Sequence, residues 1–293
     1  MALFDGTCVA IITPFNNSGS VDYDAFSRLI DFQIDNGVSA ICVCGTTGEP
    51  STMSESERDE VISFALNKIG GRVKTLVGCG CNSTSTTIAN AIKAEKLGAD
   101  AILVVTPYYN KCTQKGLIAH YTAVADAVKI PVVLYNVPAR TGVNLLPATA
   151  LELSKVENIV AIKEASGNID QLMTLCRLVE GKMDVYLGED ALTYVGMTLG
   201  AKGVISVVAN VVPRLMSDIP ALCNNGEWAK AREIQFRLAE LTSAMFCEVN
   251  PIPVKKACSY LGYGDGTVRL PLTMMEDQNA ERLYNAMREL NLV

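Results

Sequence analysis

The sequence has few of the features that mark membrane proteins or nucleic-acid-binding proteins. No apolar run approaches the roughly 18 residues that a membrane-spanning helix requires. Lysine and arginine do not cluster, and 25 basic against 31 acidic residues give a net charge of −6. We therefore expect neither nucleic acid nor a membrane as a partner. The segment from Met1 to Thr7 carries Asp5 and no basic residue, which argues against a signal peptide and for a cytoplasmic protein.

Histidine and metal-binding cysteine patterns are also scarce. His120 is the only histidine, and no C-x-x-C motif occurs among the ten cysteines. Two C-x-C pairs, Cys42 with Cys44 and Cys79 with Cys81, lie in strand-like runs, where such neighbours share one face. Zinc and iron–sulfur sites use closer groupings of cysteine and histidine than this. We expect reduced thiols in a reducing compartment and no metal centre.

The rest of the composition is typical of a packed globular protein. The chain has 293 residues, of which 49% are hydrophobic and 19% are charged, and a chain of this length buries about three quarters of its surface. Apolar β-branched runs predict eight strands, at residues 8–14, 40–45, 74–80, 101–107, 131–137, 159–165, 184–189 and 203–210. Amphipathic stretches predict helices near residues 22–36, 54–69, 85–98, 114–128, 147–156, 168–180, 191–199 and 212–223.

Eight apolar strands that each precede a helix predict an α/β fold, a (β/α)8 TIM barrel. An open doubly wound sheet is the alternative, but the sequence has no G-x-G-x-x-G after the first strand and no P-loop. Ser54 and Glu57 have the spacing of a capping box at the start of the second helix. After the eighth unit only helices are predicted, one of them over 227–246. We predict a barrel domain over 1–224 and a C-terminal helical appendage over 225–293.

A lysine ends the sixth predicted strand. Residues 159–165 read Ile-Val-Ala-Ile-Lys-Glu-Ala, and alternation places Ala161, Lys163 and Ala165 on one face, with Glu164 on the other. If that face lines the barrel interior, burial disfavours the ammonium form, and a neutral amine can attack a carbonyl group. The alternative is a structural ion pair with a carboxylate.

Other side chains with chemical potential also follow the carboxyl ends of strands, where TIM barrels build their active sites. The loop Gly45-Thr46-Thr47-Gly48-Glu49 offers backbone N–H groups and hydroxyls to a small carboxylate. Tyr135 shares the inward face of its strand with Val133, so its phenol can enter the same interior as Lys163. Gly188 and Ile205 are placed to wall a small pocket. A plain glycine-rich turn and a rim tyrosine without a chemical role are the structural alternatives.

These residues belong to motifs that resemble the dihydrodipicolinate (4-hydroxy-tetrahydrodipicolinate) synthase family, within the pyruvate-dependent class I aldolases. The resemblance covers nearly the whole chain. It rests on T-P-F at 13–15, G-T-T-G-E at 45–49, T-P-Y-Y-N at 106–110, Y-N-V-P-A-R-T-G at 135–142, I-K-E-A at 162–165, G-V-I-S-V at 203–207 and N-P-I-P-V-K at 250–255.

The resemblance implies a role for each matching residue. Lys163 is similar to the lysine that forms a Schiff base with pyruvate, and Tyr135 to a proton-transferring tyrosine that is hydrogen-bonded to Thr46. Tyr109 resembles a tyrosine that crosses a dimer interface to complete this relay. The remaining matches are Thr46 and Thr47 with the pyruvate carboxylate, Arg140 with the carboxylate of aspartate 4-semialdehyde, and Gly188 and Ile205 with the pocket lining.

The implied activity is condensation of pyruvate with aspartate 4-semialdehyde by a homotetramer, without a cofactor. One alternative is another pyruvate aldolase, such as N-acetylneuraminate lyase or a keto-deoxy-sugar aldolase, although a polyhydroxylated substrate would need neutral partners in place of Arg140. A second alternative is a non-catalytic protein that binds keto acids.

The chain departs from lysine-inhibited members of this family. Asn82 and Tyr108 match their inhibitor site, but Glu55, Arg58 and Thr86 replace histidines and the acidic residue that pairs with the amine of the inhibitor. We therefore predict weak or absent inhibition by lysine.

Overall fold

A closed barrel of eight parallel strands forms the centre of the protein. The computed structural model describes residues 2–293. Strands pair in sequence order, and the first also pairs with the eighth, which closes the sheet. The predicted TIM barrel is confirmed. The strands are β1 Gly6–Ala10, β2 Ala40–Val43, β3 Lys74–Gly78, β4 Ala101–Val105, β5 Val132–Asn136, β6 Ile159–Glu164, β7 Asp184–Leu187 and β8 Gly203–Ser206.

Each strand ends earlier than its apolar run predicts. β1 ends at Ala10, although Ile11 and Ile12 are as deeply buried as the strand itself. β8 ends at Ser206 rather than at residue 210, because the chain turns into a 3-10 helix at Val208–Asn210. Hydrophobic runs report burial, and the first residues of these loops are buried with the strands.

The eight predicted helices are present around the barrel, the last of them after β8 at Pro213–Asn224. A ninth, short helix that was not predicted follows β5 at Pro138–Thr141. In chain order the helices up to the last strand are α1 Tyr23–Asp35, α2 Glu55–Ile69, α3 Thr84–Lys96, α4 Gln114–Asp126, α5 Pro138–Thr141, α6 Pro147–Leu153, α7 Ile169–Val179 and α8 Thr193–Thr198. The helices after β8 are α9 Pro213–Asn224, α10 Trp228–Arg237, α11 Ala239–Met245, α12 Ile252–Tyr260 and α13 Asp277–Glu289.

The predicted N-cap of α2 is confirmed. Ser54 is the N-cap, and its hydroxyl accepts a hydrogen bond from the Glu57 backbone N–H at 3.2 Å. The Glu57 carboxylate forms a two-point ion pair with the Arg269 guanidinium. This residue therefore ties the start of α2 to the C-terminal part of the chain.

The single helix predicted over 227–246 is wrong, because the structure has two helices there. α10 ends and α11 begins on either side of Leu238, whose ψ of −4° differs from the value near −42° of a regular helix. Leu238 is completely buried, and neither glycine nor proline marks the break. A one-residue departure of this kind does not disturb the apolar periodicity on which the prediction depends. The division at residues 224/225 stays a prediction.

The barrel interior is closed at its amino-terminal end by aromatic side chains. The rings of Phe4 and Tyr186 stack with their centroids 4.1 Å apart, and the Tyr186 hydroxyl donates to the Phe4 carbonyl at 2.7 Å. Small inward residues such as Cys8, Ala10 and Cys42 lie in the same buried cluster. The two rings fill the amino-terminal end of the barrel. Because the other inward residues are small, space remains at the carboxyl ends of the strands. No helix within residues 2–293 is long and apolar enough to cross a bilayer.

Candidate active site

Lys163 points into the barrel from the carboxyl end of β6. Its residue is 5% exposed, and Ala161 and Ala165 lie in the inner cluster on the same face, as alternation predicts. Lys163 is in register with Tyr135 on β5, and its Nζ lies 4.4 Å from the centre of the Tyr135 ring. Within residues 2–293 no carboxylate forms an ion pair with this amine. The structure therefore does not contain the ion pair that was the alternative explanation for Lys163.

The path of the Lys163 side chain depends on the absence of a side chain at Gly188. A Cβ atom added there would lie 2.9 Å from Lys163 Cε and 2.6 Å from the Ala165 Cβ. Both separations are shorter than carbon atoms tolerate, so a side chain at this position would clash with Ala165 and with Lys163. Gly188 thus provides the space through which Lys163 reaches the pocket.

A small pocket of about 60 Å³ surrounds the amine. Since one water needs roughly 10–15 Å³ by this measure, the pocket holds a ligand of a few heavy atoms. Five of the predicted site residues line it together with Lys163, and they come from four segments of the barrel: Thr46, Thr47, Tyr135, Arg140 and Gly188.

Two predicted residues lie outside the lining. Ile205 is buried in the barrel interior, and Val207, two residues later, lines the pocket in its place. Tyr109 is 89% exposed, at a positive φ of 73°, and does not reach the pocket of its own chain. Thr46 and Tyr135 both line the pocket, but within residues 2–293 no hydrogen bond joins their hydroxyl groups. The relay through these hydroxyls stays a prediction.

The loop that carries Thr46 and Thr47 is held by an ion pair that the sequence did not reveal. Glu49 follows the loop at a positive φ of 53°, and its carboxylate pairs with the Lys255 ammonium from α12. Lys255 is 1% exposed, donates to the Thr267 carbonyl at 3.0 Å and lies 3.6 Å from the centre of the Phe15 ring. Burial lowers the pKa of Lys255 to about 8, and the opposing attraction of Glu49 is smaller.

Asn250 connects the same loop to Arg140. Its side-chain amide donates to the Thr47 hydroxyl at 3.0 Å, and its backbone carbonyl accepts from Arg140 Nη2 at 3.2 Å. The two contacts position Thr47 and Arg140, which line the pocket, and Asn250 also lines it. Lys255 and Asn250 belong to the motif at residues 250–255. The signal that could have identified Lys255 was its position directly after the apolar run 252–254.

Two neighbouring carboxylates follow β7, and they differ in their surroundings. Asp190 is buried, accepts from the Ser206 hydroxyl, and receives the backbone N–H groups of Val207 and Val208 at 3.0 and 3.3 Å. Glu189 lines the pocket. Burial raises the pKa of Glu189, and the charge of Asp190 adds to this effect, while Lys163 and Arg140 oppose it. An acidic residue directly after Gly188 was the signal that could have identified Glu189.

A larger cavity of about 450 Å³ adjoins the small pocket and shares Thr46, Tyr135 and Arg140 with it. Arg58 lines it and donates through Nη2 to the Gly78 carbonyl at 3.0 Å. No aspartate or glutamate is among its lining residues within 2–293. Glu55 instead pairs with Lys93, so its carboxylate is engaged elsewhere.

Comparisons with known proteins agree along the whole chain. Residues 3–290 match the sequence profile of the dihydrodipicolinate synthetase family. A 4-hydroxy-tetrahydrodipicolinate synthase of Alkaliphilus oremlandii is 48% identical over 291 residues, which are 99% of this chain and 100% of that protein. The crystal structure of a dihydrodipicolinate synthase of Thermotoga maritima superimposes with a TM-score of 0.98 at 42% identity, over 100% of both chains. A chloride-inhibited dihydrodipicolinate synthase of Acinetobacter baumannii, solved with pyruvate, gives a TM-score of 0.97 at 42% identity over 99% of both chains.

Proposed function

The chain belongs to the dihydrodipicolinate synthetase family, and from this we propose that it is a 4-hydroxy-tetrahydrodipicolinate synthase. This lyase joins pyruvate to L-aspartate 4-semialdehyde in the diaminopimelate route to lysine. Full-length relatives with that name favour this activity over a sialic-acid lyase, a keto-deoxy-sugar aldolase or a non-catalytic keto-acid-binding protein.

The observation that supports the chemistry most directly is the unpaired amine of Lys163 in a pocket sized for a small keto acid. The neutral Nζ adds to the C2 carbonyl of pyruvate, and water leaves to give an iminium ion. The iminium accepts the electron pair of a C–H bond at C3, so a methyl proton departs and an enamine forms. This electron sink is covalent, and the reaction therefore needs neither a metal nor an organic cofactor.

The second half of the reaction consumes the semialdehyde. The enamine C3 attacks the aldehyde carbon, which becomes a hydroxyl-bearing carbon after protonation. The amino nitrogen of the former semialdehyde then adds to the C2 iminium carbon, and the Lys163 amine leaves. The ring closes, the enzyme regains its free lysine, and the one water lost during imine formation is the only other product besides a proton.

We assign the remaining predicted residues to these steps. The Thr46–Thr47 loop receives the pyruvate carboxylate, Tyr135 transfers protons beside the imine, and Arg140 receives the carboxylate of the semialdehyde, which its planar guanidinium suits. Gly188 and Val207 shape the walls of the site, and Ile205 packs in the barrel interior outside them.

We further propose a homotetramer, built as a dimer of dimers, in which Tyr109 serves the pocket of a neighbouring subunit. The exposure of Tyr109 and its absence from the lining of its own pocket support this assignment. Ten cysteines that are all free thiols support the proposed cytoplasmic location. The division into a barrel domain over 1–224 and a helical domain over 225–293 is proposed on the strand pattern alone.

Borohydride trapping tests the central assignment. Incubation of the protein with pyruvate and borohydride should add the mass of one reduced pyruvate imine per chain, located at Lys163 by peptide mapping. Lys163→Ala should show no addition, whereas Lys155→Ala, which removes an exposed lysine far from the pocket, should label as fully as the wild type. Full labelling of Lys163→Ala would remove the assignment. A coupled assay with aspartate semialdehyde then tests the second substrate.

A further inference from the structure

A polar pair, Asn136 and Glu164, is buried on the outer face of β5 and β6. The two residues are the last of their strands and lie opposite each other in the ladder. Each follows directly after a residue that lines the pocket, Tyr135 or Lys163. Because side chains alternate along a strand, the pair points away from the barrel interior, into the layer between strands and helices. The outward residues two positions earlier on both strands are apolar core, so this pair is an exception to the apolar packing of a parallel sheet.

The pair joins the ends of the two strands. Asn136 Nδ2 donates to Glu164 Oε2 at 3.0 Å, and Glu164 Oε1 accepts from the Ser166 backbone N–H at 2.8 Å. Asn136 Oδ1 accepts from the Leu145 backbone N–H at 2.8 Å. Each polar atom of both side chains is therefore bonded, and the loops that follow β5 and β6 are tied to the strand ends.

Asn144 extends this network to the surrounding helices. Its Oδ1 accepts from Asn136 Nδ2 at 2.9 Å, and its side-chain amide exchanges two hydrogen bonds with that of Gln171 on α7, at 2.8 and 3.0 Å. Its backbone carbonyl accepts from Gln114 Nε2 on α4 at 2.8 Å. A buried network whose members are all bonded is rigid and specifies one arrangement. The ends of β5 and β6 are thus held by two helices as well as by each other.

The Glu164 carboxylate has no cation beside it. Both of its oxygens accept N–H groups, as those of an ionised carboxylate do, and no ion pair within residues 2–293 engages it. A buried charge that is bound only by neutral donors is unfavourable compared with apolar packing of the same volume. Sequences depart from such packing rules mainly at functional sites. Here the departure lies one ladder position from Tyr135 and Lys163.

We propose that Asn136 and Glu164 are positioning residues, because the bond between them fixes the ladder pair that precedes it. That pair is Tyr135 and Lys163, whose inward side chains place the amine 4.4 Å from the centre of the ring. This inference rests on the proposed function, in which the amine forms the imine and the phenol transfers protons beside it. A displacement of about 1 Å can lower a rate about 100-fold. Loss of the outer bond should therefore slow the reaction on the inner face.

Exchange of the two functional groups tests the bond itself. Glu164→Gln leaves one acceptor oxygen where the N–H donors of Asn136 and Ser166 converge, and Asn136→Asp sets one carboxylate against another, so each single variant disrupts the contact. The double variant Asn136→Asp/Glu164→Gln restores it with donor and acceptor reversed. The side-chain amides of Asn144 and Gln171 can both turn over, which keeps the outer bonds of the network.

The readout is the rate constant of imine formation with pyruvate alone, stopped by borohydride after increasing times. This rate constant does not depend on the folded fraction, which the final extent of labelling reports. We expect each single variant to lower it about 10- to 100-fold at saturating pyruvate, and the double variant to return to within about fivefold of the wild type. The pyruvate concentration that gives half of the maximal rate should change less than about threefold, because the Thr46–Thr47 loop follows β2, outside this network. Uptake of deuterium from solvent into the pyruvate methyl group, which uses both inner residues, should fall by a similar factor.

Asp100→Asn is the matched control, because Asp100 ties two neighbouring strands at the amino-terminal end of the barrel. Its Oδ2 accepts from the backbone N–H and the hydroxyl of Thr75 on β3, at 2.9 and 2.8 Å. This variant should keep the rate constant within about twofold of the wild type even if stability falls. Unchanged rate constants in both single variants, or losses that the exchange does not reduce, would overturn the inference. Absence of labelling at Lys163 in the wild type would instead be a failure of the proposed function.

Discussion

Two lysines are buried within residues 2–293, and their surroundings differ. Lys255 is 1% exposed and is surrounded by partners: the Glu49 carboxylate, the Thr267 carbonyl and the face of Phe15. Lys163 is 5% exposed and has no carboxylate partner within residues 2–293, only the face of Tyr135 beside a pocket. Burial is common to both, so burial alone does not distinguish a catalytic amine from a structural one.

The difference lies in what the nitrogen can still contact. The donors of Lys255 are used by the protein, and the pair holds the loop on which Thr46 and Thr47 sit. The Lys163 side chain lines a pocket that is large enough for a small carbonyl compound. We therefore propose that Lys255 supports the site and that Lys163 acts in it.

Removal of Lys163 should give the largest effect on activity. We expect Lys163→Met to lower kcat by about 10⁴-fold or more, because a covalent nucleophile has no substitute in the pocket. The free energy of unfolding should not fall, since methionine keeps the apolar stem and no ion pair is lost. The coupled assay and urea denaturation at equal protein concentration measure the two quantities. Turnover within tenfold of the wild type would contradict the assignment.

Removal of Lys255 should act on stability first. We expect Lys255→Met to lower the free energy of unfolding by about 3–5 kcal/mol, because Glu49 would remain as an uncompensated buried charge. Adding Glu49→Gln should recover most of this loss. Lys74→Met breaks the exposed pair with Asp100 and, as the control, should change stability by about 1 kcal/mol or less. If both single variants lose equally little, the buried pair has no structural role.

The contrast between these lysines also shows how far the sequence could predict the site. The inward direction of Lys163 and its neighbours Ala161 and Ala165 follows from alternation along one strand, which is local information. The Glu49–Lys255 pair joins residues more than 200 positions apart, and only the folded chain brings them together. The sequence could not show it.

Glu189 was missed for a different reason. The run that predicted β7 extends through Glu189, but the strand ends at Leu187, so alternation no longer determines which way Glu189 points. Ile205 shows the converse, since the eighth strand was predicted correctly around it, yet the lining passes to Val207. Strand identity could be predicted from the apolar runs, whereas the loop residues that finish the pocket depend on turns that these runs do not encode.

Gly188→Ala tests the space that Lys163 uses. The added methyl group would lie 2.6 Å from the Ala165 Cβ and 2.9 Å from Lys163 Cε, so both residues must move to relieve the clash. We expect kcat/KM for pyruvate to fall by up to about 100-fold, the loss that a displacement of about 1 Å can cause. Gly167→Ala is a control with no atom within 4 Å of the new carbon, although its positive φ of 70° adds local strain. Borohydride labelling of Gly188→Ala should slow in parallel, and an unchanged labelling rate would show that the lysine avoids the methyl group.

The titration of Lys255 should give a smaller effect with a defined sign. Its folded-state pKa of about 8 lies below the ordinary value of about 10.4. Between these values the unfolded chain binds more protons, so the free energy of unfolding should rise with pH, by about 1–2 kcal/mol between pH 7.5 and 9.5. Below pH 8 the contribution levels off because both states are protonated. The quantity to measure is the difference in stability between the wild type and the Lys255→Met/Glu49→Gln variant, which cancels other groups. A flat difference would mean that the pair stays ionised throughout.

Free L-lysine should have the smallest effect of all, and the reason is the same distinction between partnered and unpartnered amines. An ammonium group leaves water only where acceptors replace its hydration, as Glu49 and Thr267 do for Lys255. The 450 Å³ cavity beside the active site offers the guanidinium groups of Arg58 and Arg140 and no carboxylate among its lining residues within 2–293.

Thr86 cannot supply the missing charge, and its hydroxyl donates instead to the Ser83 hydroxyl at 3.1 Å. We therefore expect initial rates with pyruvate and aspartate semialdehyde to be unchanged by L-lysine through the micromolar range. Thr86→Glu should introduce the absent charge and confer measurable inhibition, with Thr84→Glu on the same helix as the position control. Half-maximal inhibition of the wild type at micromolar lysine would show that this cavity can hold an ammonium group without a carboxylate. The requirement for acceptor partners, which holds for the buried ammonium of Lys255, would then not apply to a bound ligand.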